Sequence, residues 1–201
     1  MSKRRTCAVA ASAFSLAAVA FAPPAAAEDE PTTRELLEKC DNGTDSCVFH
    51  PEGDPEYYTD AAHTVGDPVY NCTDGLQRFG VEWSDTTSQS NSVGMEMTTS
   101  AGFGKVFSIS YTETYKHTWE ESHTESQTTN VDTKPGEVGW VERAPQMQKV
   151  KGTYELHFED KFHGHYIWYV PMEVTGPAPD SSTAVSQHVR PMTDEEKGHC
   201  P

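Results

Sequence analysis

Apolar and polar side chains alternate over residues 106–120, which read VFSISYTETYKHTWE. The odd-numbered positions carry mainly aromatic and aliphatic side chains, and the even-numbered positions carry mainly Ser and Thr. Since successive side chains of a β-strand point to opposite faces, this segment is predicted to be the central strand of an antiparallel sheet. Glu113 interrupts the apolar face, which indicates that the strand leaves the core or meets a partner there.

The same period of two recurs on both sides of this segment. Upstream it covers residues 79–83 and resumes over 93–97 after a polar run. Downstream, three strands are predicted, at residues 138–141, 150–158 and 166–174. The last of them also carries Ile167 and Tyr169 on its second face, so it is predicted to be interior or covered.

Turns and breaks divide these strands. A glycine turn at 101–105 and a Pro-Gly turn at 134–137 are predicted to reverse the chain, and Pro145 is predicted to mark an edge or a bend. Residues 176–200 are polar and without a period, and are predicted to be irregular. The predicted fold is therefore all-β, a single elongated, twisted antiparallel sheet of about five or six strands with an extended N-terminal arm.

The N-terminus has the pattern of a secretory signal peptide. Three basic residues precede an uncharged apolar run, and Ala25–Ala27 supplies small residues for cleavage. The apolar run is shorter than the ~20 residues that cross a bilayer as a helix. The predicted organisation is a signal peptide at 1–27, an arm at 28–49 and a β domain at 50–201, in a secreted, extracellular protein.

The charge of the chain argues against nucleic acid and anionic lipid as partners. The formal charge is −16, and loss of Lys3, Arg4 and Arg5 with the signal peptide takes it to −19. Such a surface repels the phosphate groups of both classes of partner. We therefore expect protein partners, and a membrane only if the chain forms pores.

Four cysteines remain after removal of residues 1–27, and an even number in an exported chain predicts two disulfides. Three connectivities are possible. The preferred one joins Cys40 to Cys47 and Cys72 to Cys200. The alternative is that some of these thiols pair with another chain. A metal site is not favoured, because no CxxC spacing occurs.

Two interpretations are open for residues 28–40. Thr32 and Glu35 have the spacing of a capping box, which predicts a short helix around Leu36 and Leu37. A helix of this length is marginal unless it packs against other structure. The equal alternative is an arm that becomes ordered only when it binds a partner.

No combination of residues predicts catalysis. His163 and His165 have a spacing that metal ligands use, but no third ligand is evident, so surface histidines are favoured. Ser, His and Asp are too abundant for a triad to be specific, and neither a GxSxG nor an HExxH motif occurs. We expect no enzyme, no metal and no cofactor. Five aromatic side chains could form a carbohydrate platform, although core packing is favoured: Phe107, Tyr111, Tyr115, Trp119 and Trp168.

The segment from Trp83 to Val174 resembles the pore-forming module of aerolysin-type toxins, in the epsilon-toxin and mosquitocidal branch. The resemblance rests on EWSDTTSQSNSVGMEM, on YKHTWEESHTESQTT, on Ser/Thr-rich alternation in two long strands, and on the Pro-Gly turn before the next strand. It implies a protein whose hairpins form a membrane barrel. The mature chain leaves little room for a receptor-binding domain, and the run at 93–97 is short for the ~9–11 residues of a membrane strand.

The chain as a whole resembles the small adaptor subunit of the Streptomyces umbrella toxin particles. The shared features are a signal peptide, a short acidic arm, four mature cysteines and one small β domain. The resemblance implies a non-enzymatic subunit that joins a lectin-bearing tip subunit to a repeat-rich spoke subunit of a secreted antibacterial particle. It also implies that residues 28–49 insert into a tip subunit by strand addition. The predicted anchors of this arm are Leu36, Leu37, Val48 and Phe49.

The leading prediction is accordingly a secreted adaptor of a toxin complex that acts in competition between bacteria. It would bind one partner through the arm and another through the β domain. The alternative is an aerolysin-type β-pore-forming toxin or a remnant of one. The first interpretation requires two separate partner surfaces, whereas the second requires a segment that can leave the fold and enter a membrane.

Overall fold

The computed structural model describes residues 30–179 and 183–201, and the predicted signal peptide lies outside these residues. Within them the chain is mostly antiparallel β-structure, which confirms the predicted fold class. Its strands divide among three sheets, whereas a single sheet was expected. Neither helix in this part of the chain has the length and apolar character that a bilayer crossing needs.

Two helices, a 3₁₀ turn and a series of strands make up the described chain. In chain order the elements are α1 (Thr33–Asn42), β1 (Ser46–Thr59), β2 (His63–Tyr70), β3 (Gln77–Ser88), β4 (Ser90–Asn91), α2 (Gly102–Tyr115), β5 (Ser122–Thr133), β6 (Glu137–Ala144), β7 (Gln146–Phe162), β8 (His165–Pro177), β9 (Ala184–Pro191) and the 3₁₀ helix at Glu196–His199. The sheets have the orders β1-β7-β8-β4, β2-β6-β9 and β3-β5, with all neighbours antiparallel.

Two strand pairs join end to end to form one long ribbon, which we call the spine. β1 pairs with β7 over Ser46–Thr59, and β2 pairs with β6 over His63–Tyr70. Between the two pairs, the N–H of Asp60 donates to the carbonyl of Pro145 at 2.9 Å, so the pairing continues where the spine passes from one sheet to the next. At ~3.3 Å per residue the spine is roughly 80 Å long. Pro145, which was predicted to mark an edge or a bend, lies at this change of sheet.

At one end of the spine, α1 and α2 cover one face of the sheet β1-β7-β8-β4, and we call this part the head. Tyr111 donates its hydroxyl proton to Gln148 Oε1 at 2.8 Å, and Tyr154 donates to the carbonyl of Phe103 at 2.9 Å. Burial raises the pKa of Tyr111 to about 12, so its hydroxyl stays protonated as a donor. The head core includes Leu36, Leu37, Phe49, Phe103, Phe107, Tyr111, Trp119, Tyr154 and Leu156.

The central strand predicted at 106–120 is wrong, because most of this segment forms α2. Residues four apart lie on one face of a strand and also on one face of a helix, so Phe107 and Tyr111 are buried under either interpretation. The positions between them separate the two periods. Ile109 is 48% exposed and Glu113 is also exposed, as a helix requires. Glu113, which interrupts the apolar face expected of a strand, is therefore the residue of this segment that indicates a helix.

The first described residues belong to the folded body, and the boundary predicted between an arm at 28–49 and a β domain from 50 is corrected accordingly. The Thr32 hydroxyl accepts from the N–H of Glu35 at 3.2 Å, and the Glu35 carboxylate accepts from the N–H of Thr32 at 2.7 Å. This confirms the capping box. Leu36 and Leu37 are then buried in the head core, which supplies the packing that a short helix needs.

At the other end of the spine, the sheet β2-β6-β9 packs on the two-stranded ribbon β3-β5, and we call this part the sandwich. Trp83 donates its indole N–H to Thr129 Oγ1 at 3.0 Å inside this core. The outer face of the ribbon is polar, with hydroxyl pairs between facing Ser and Thr residues. The sandwich core consists of Val65, Val81, Trp83, Val131 and Val141, with Val69 and Val185 packed against it.

Three further predictions have clear outcomes. The last long strand, β8, lies between β7 and β4, as its two apolar faces indicated. The strand predicted at 93–97 is wrong, because these residues have no strand pairing and Asn91 holds their backbone instead. The prediction that residues 176–200 are irregular is also wrong, because β9 lies within them.

A disulfide lies at each end of the spine. Cys40–Cys47 joins α1 to the start of β1, and Cys72–Cys200 joins the segment after β2 to the C-terminal residues. This is the connectivity preferred from the sequence. The first bond holds a local loop, whereas the second holds together parts of the chain that are distant in sequence.

We expect loss of Cys72–Cys200 to destabilise the protein more than loss of Cys40–Cys47. The bonds close loops of 128 and 7 residues. Loop-closure entropy then corresponds to about 5 kcal/mol of folding stability for Cys72–Cys200 and about 2 kcal/mol for Cys40–Cys47. Urea unfolding of the paired variants C72A/C200A and C40A/C47A measures the two losses. Equal losses, or a larger loss for the local bond, would contradict the prediction.

Candidate interaction surfaces

The face of the head sheet opposite the helices carries exposed apolar side chains on β1 and β8, the two strands that flank β7. Val48, Glu155 and Tyr169 lie side by side across β1, β7 and β8, and His157 faces Ile167 in the adjacent row. Tyr169 is 61% exposed, Ile167 40% and Val48 39%. We call this surface, together with His50 beside it on β1, the head face. Large apolar side chains exposed close together in this way are typical of interaction surfaces.

One carboxylate at the centre of the head face is bonded by two histidines. His50 Nε2 lies 3.0 Å from one oxygen of Glu155, and His157 Nε2 lies 2.5 Å from the other. The hydrogen bond with His157, with a smaller contribution from His50, lowers the pKa of Glu155. Because both oxygens are already hydrogen-bonded, a partner protein can cover this carboxylate without leaving it unpaired.

A cleft on the outer face of the sheet β2-β6-β9 forms a second candidate surface, which we call the Trp140 cleft. The Trp140 ring stacks on His188 at 5.3 Å between centroids, and the Arg190 guanidinium lies 5.7 Å from the same ring. Arg190 also makes two bonds to Glu196, of 2.6 and 2.7 Å, and lowers the pKa of Glu196 to about 2. The cleft has a volume of about 250 Å³ and is lined by Thr64, Pro68, Tyr70, Val138, Trp140, Arg190 and Glu196.

The two surfaces lie towards opposite ends of the spine. Trp140 is on β6 in the sandwich, and Glu155 is on β7 in the head. At ~3.3 Å per residue, the continuous β6–β7 segment separates them by roughly 50 Å. The two surfaces are therefore separate sites.

A buried ionic cluster fastens the ribbon β3-β5 to the spine. Arg143 on β6 is 1% exposed and bonds to Asp85, which faces Glu125 across the ribbon. Its Nε also lies 3.4 Å from Glu125, and His63 lies 3.0 Å from Asp85. Burial favours a higher pKa for Asp85, but hydrogen bonds from Arg143 and His63 outweigh it and lower the pKa below its ordinary value of 3.8.

The structure changes the assignment of the predicted anchors. Leu36, Leu37 and Phe49 are core residues, so in the folded chain no partner can reach them. Val48 is exposed and belongs to the head face. The reason is that α1 packs on the head and β1 is a strand of its sheet, so this segment uses its apolar side chains to complete the fold.

The other sequence candidates do not come together as sites. Phe107, Tyr111 and Trp119 pack in the head core, so they form no exposed carbohydrate platform. His163 lies at the turn between β7 and β8, with His165 at the start of β8. In the described ranges, no group of three His, Cys, Asp or Glu side chains has the spacing to hold a metal ion.

Comparisons with known proteins find likenesses among solved structures. No family model matches the sequence, and no curated protein matches it. A Bacteroides vulgatus structure described as a "putative pore-forming toxin" is similar with a TM-score of 0.32 and 10% identity, over 75% of this chain and 59% of that one. This chain thus spans less than two thirds of the length of the Bacteroides protein.

Two other solved structures are similar. The parasporin-2 toxin of Bacillus thuringiensis, described as recognizing cancer cells, has a TM-score of 0.21 and 14% identity, over 72% of this chain and 74% of that one. A chain of the Cry23Aa1–Cry37Aa1 binary protein complex has a TM-score of 0.25 and 13% identity, over 83% of this chain and 90% of that one. At TM-scores below 0.5, none of these likenesses carries an argument about the fold or the function of this chain.

We expect Arg143→Met to destabilise the protein by about 3–5 kcal/mol, because it leaves Asp85 and Glu125 facing each other without their cation. The matched control is Arg78→Met. Arg78 pairs with Asp132 on the exposed face of the same ribbon, where an ion pair is worth about 1 kcal/mol or less. Urea unfolding at neutral pH measures both losses. Similar losses in the two variants would show that the buried cluster contributes no more stability than the exposed ion pair.

The same cluster predicts a pH dependence. Since the pKa of Asp85 is lowered in the folded state, its ionised form adds stability above its ordinary pKa of 3.8, and this stability is lost as the pH falls through the lower folded value. In Arg143→Met the largest stabilising partner of the ionised form is gone. We therefore expect the variant to lose less stability than the wild type between pH 5 and pH 2, measured by urea unfolding. A parallel decline in both proteins would contradict this.

Proposed function

We propose that this chain is a secreted, non-enzymatic adaptor that links components of a large extracellular antibacterial toxin particle. The observation that carries the proposal is the placement of the head face and the Trp140 cleft towards opposite ends of the spine. An adaptor has to hold two partners at once, and roughly 50 Å between the surfaces gives each partner room. A role in catalysis, a metal and a cofactor form no part of the proposal.

The partners proposed are a lectin-bearing tip subunit and a repeat-rich spoke subunit, as the sequence resemblance implies. The binding role first assigned to the arm at 28–49 passes to the head face, to which that segment contributes Val48. Tyr169 and Ile167 supply large, exposed anchors of the type that dominates binding energy at protein interfaces. The Trp140 cleft supplies the second surface, with an aromatic ring and a charged pair at its rim.

The segment at 28–49 cannot be deleted to test the proposal, because part of it belongs to the head core. Deleting residues 28–49 would remove α1 and Phe49 from the head core, so any loss of binding would reflect loss of folding. Point changes at exposed positions avoid this problem. Tyr169 is suitable because its ring faces solvent, and most of its contact area is available to a partner.

We expect Tyr169→Asp to release the chain from its native complex in culture supernatant. A charge placed at a central anchor costs about 2 kcal/mol or more of binding, which is roughly thirtyfold in affinity. Thr128→Asp is the matched control, since Thr128 lies on the exposed outer face of the ribbon β3-β5. The measurement is the native mass of each tagged variant together with the identity of the proteins that co-purify.

Three outcomes separate the possibilities. A large complex for wild type and Thr128→Asp, with free Tyr169→Asp, supports the adaptor and its head face. Equal complexes for all three place the binding elsewhere and exclude the head face. A free wild-type monomer, with nothing bound in stoichiometric amount, would rule out the adaptor function itself.

The second candidate function is pore formation, and one observation favours it. Residues 106–115 fold as part of α2, yet they also carry the alternating pattern of a membrane strand, with Phe107, Ile109 and Tyr111 on one face. The connected ribbon β3-β5 has a hydroxyl-lined outer face. Such a segment could form a hairpin in a membrane after it leaves the head core.

If the chain forms pores, we expect it to release dye from liposomes and to form detergent-resistant oligomers. Ile109→Asp should then abolish dye release, because residue 109 would face lipid in the hairpin. It should leave the soluble fold intact, because Ile109 is exposed on α2. Thr112→Asp is the control, since Thr112 is also exposed on α2 but would face the water-filled lumen. No release by the wild type would exclude this function.

A further inference from the structure

The strand β9 is an outer strand of the sandwich with regular backbone geometry. Its register with β6 is unbroken over Ala184–Pro191, and within the described residues it pairs with no other strand. The N–H of Met192 donates to the carbonyl of Gly136, the residue opposite, at 2.9 Å. Since the bonding direction alternates along a strand, Val185, Gln187 and Val189 direct their backbone N–H and C=O groups away from β6.

The other outer strands of the two larger sheets carry features that block pairing. β1 has Pro51, Pro55 and a register shift between Glu52 and Glu56, and β2 has Pro68 and a register shift of its own. β4 has only two residues. Such prolines, bulges and short lengths are the usual protection of an edge against pairing with another chain. β9 has none of them before Pro191, so its edge is open over Val185–Val189.

The charge of β9 also differs from that of the whole chain. The residues Ala184–Pro191 include no carboxylate, although the mature chain has a formal charge of −19. Arg190, the one residue here with a permanent charge, is already paired with Glu196. A second strand can therefore approach β9 without facing a line of like charges, whereas most of the acidic surface repels another copy.

We propose that two copies of this chain pair antiparallel through their β9 edges, centred on Gln187. Val185 then lies opposite Val189 of the second copy, and Gln187 lies opposite Gln187 of the second copy. Each of these facing residues directs its backbone groups outward, so each pair exchanges two hydrogen bonds. Pro191 has no N–H and ends the pairing on either side.

The side chains of the paired strands are compatible on both faces of the new sheet. The two valines meet on the face that packs on the sandwich core, where Val189 is otherwise 48% exposed. On the outer face Ser186 lies opposite His188 of the second copy, so no like charges meet. The result is a continuous sheet β2-β6-β9-β9-β6-β2 with a head face at each far end. This inference does not depend on the adaptor function.

Gln187→Pro tests the pairing directly. The residue directs its N–H away from β6, so proline removes both hydrogen bonds of the central pair, one from each copy, and leaves the β6–β9 bonds in place. Gln187→Ala, which keeps the N–H, is the control. We expect sedimentation of the mature protein at micromolar concentrations to show twice the chain mass for wild type and Gln187→Ala, and the single mass for Gln187→Pro. Urea unfolding shows whether the proline variant is folded.

A charge exchange tests the same pairing without proline. Ser186→Glu combined with His188→Glu places like charges opposite each other, whereas Ser186→Glu combined with His188→Lys places opposite charges together. We expect a dimer at least tenfold weaker in the first variant than in the second. A wild type that sediments as a monomer at every concentration overturns the proposal. So does a dimer that is equally stable in all variants, since it would use another surface.

Discussion

The spine is the constraint on which the rest of the structure depends. Two strand pairs share one continuous ladder, and the ladder changes sheets beside Pro145. β8 and β9 pair with the spine at its β7 and β6 edge, the helices pack on its head, and the ribbon β3-β5 packs on its other end. Arg143 lies next to the change of sheet and supplies the charge that ties β3 and β5 to β6. A buried cation with two carboxylates tolerates little displacement, so it fixes the position of the ribbon.

The sequence allowed the β class, the capping box and both disulfides to be predicted, because each depends on local residue type or on cysteine number. The pattern predicted a strand where α2 lies, because residues four apart share one face in a strand and also in a helix. Only the positions of Ile109 and Glu113 distinguish the two structures. The sequence also misled over Leu36, Leu37 and Phe49, because apolar residues near an end look the same whether they bind a partner or complete a core. Trp140 and β9 were missed because their roles depend on which strands become neighbours.

Electrostatics gives the three surfaces a common character. The chain is strongly acidic, yet the head face has one carboxylate held by two histidines, the Trp140 cleft has a closed Arg190–Glu196 pair, and β9 has no carboxylate. Elsewhere the like charge opposes close approach by other acidic proteins. Contact is therefore least opposed at the places where apolar side chains or free backbone groups are also available. Charge in this chain limits where association can occur without supplying the attraction itself.

The direction of the spine has a mechanical consequence. A load applied between the head and the sandwich would run along β1–β2 and β6–β7, nearly parallel to the strands. Both chains cross the change of sheet as continuous backbone, so the load would pass along two covalent chains in parallel, and the hydrogen bonds between them would hold the two chains in register. The disulfides Cys40–Cys47 and Cys72–Cys200 sit where the load enters and leaves. A chain built in this way resists being pulled at its two ends far better than being peeled from one side.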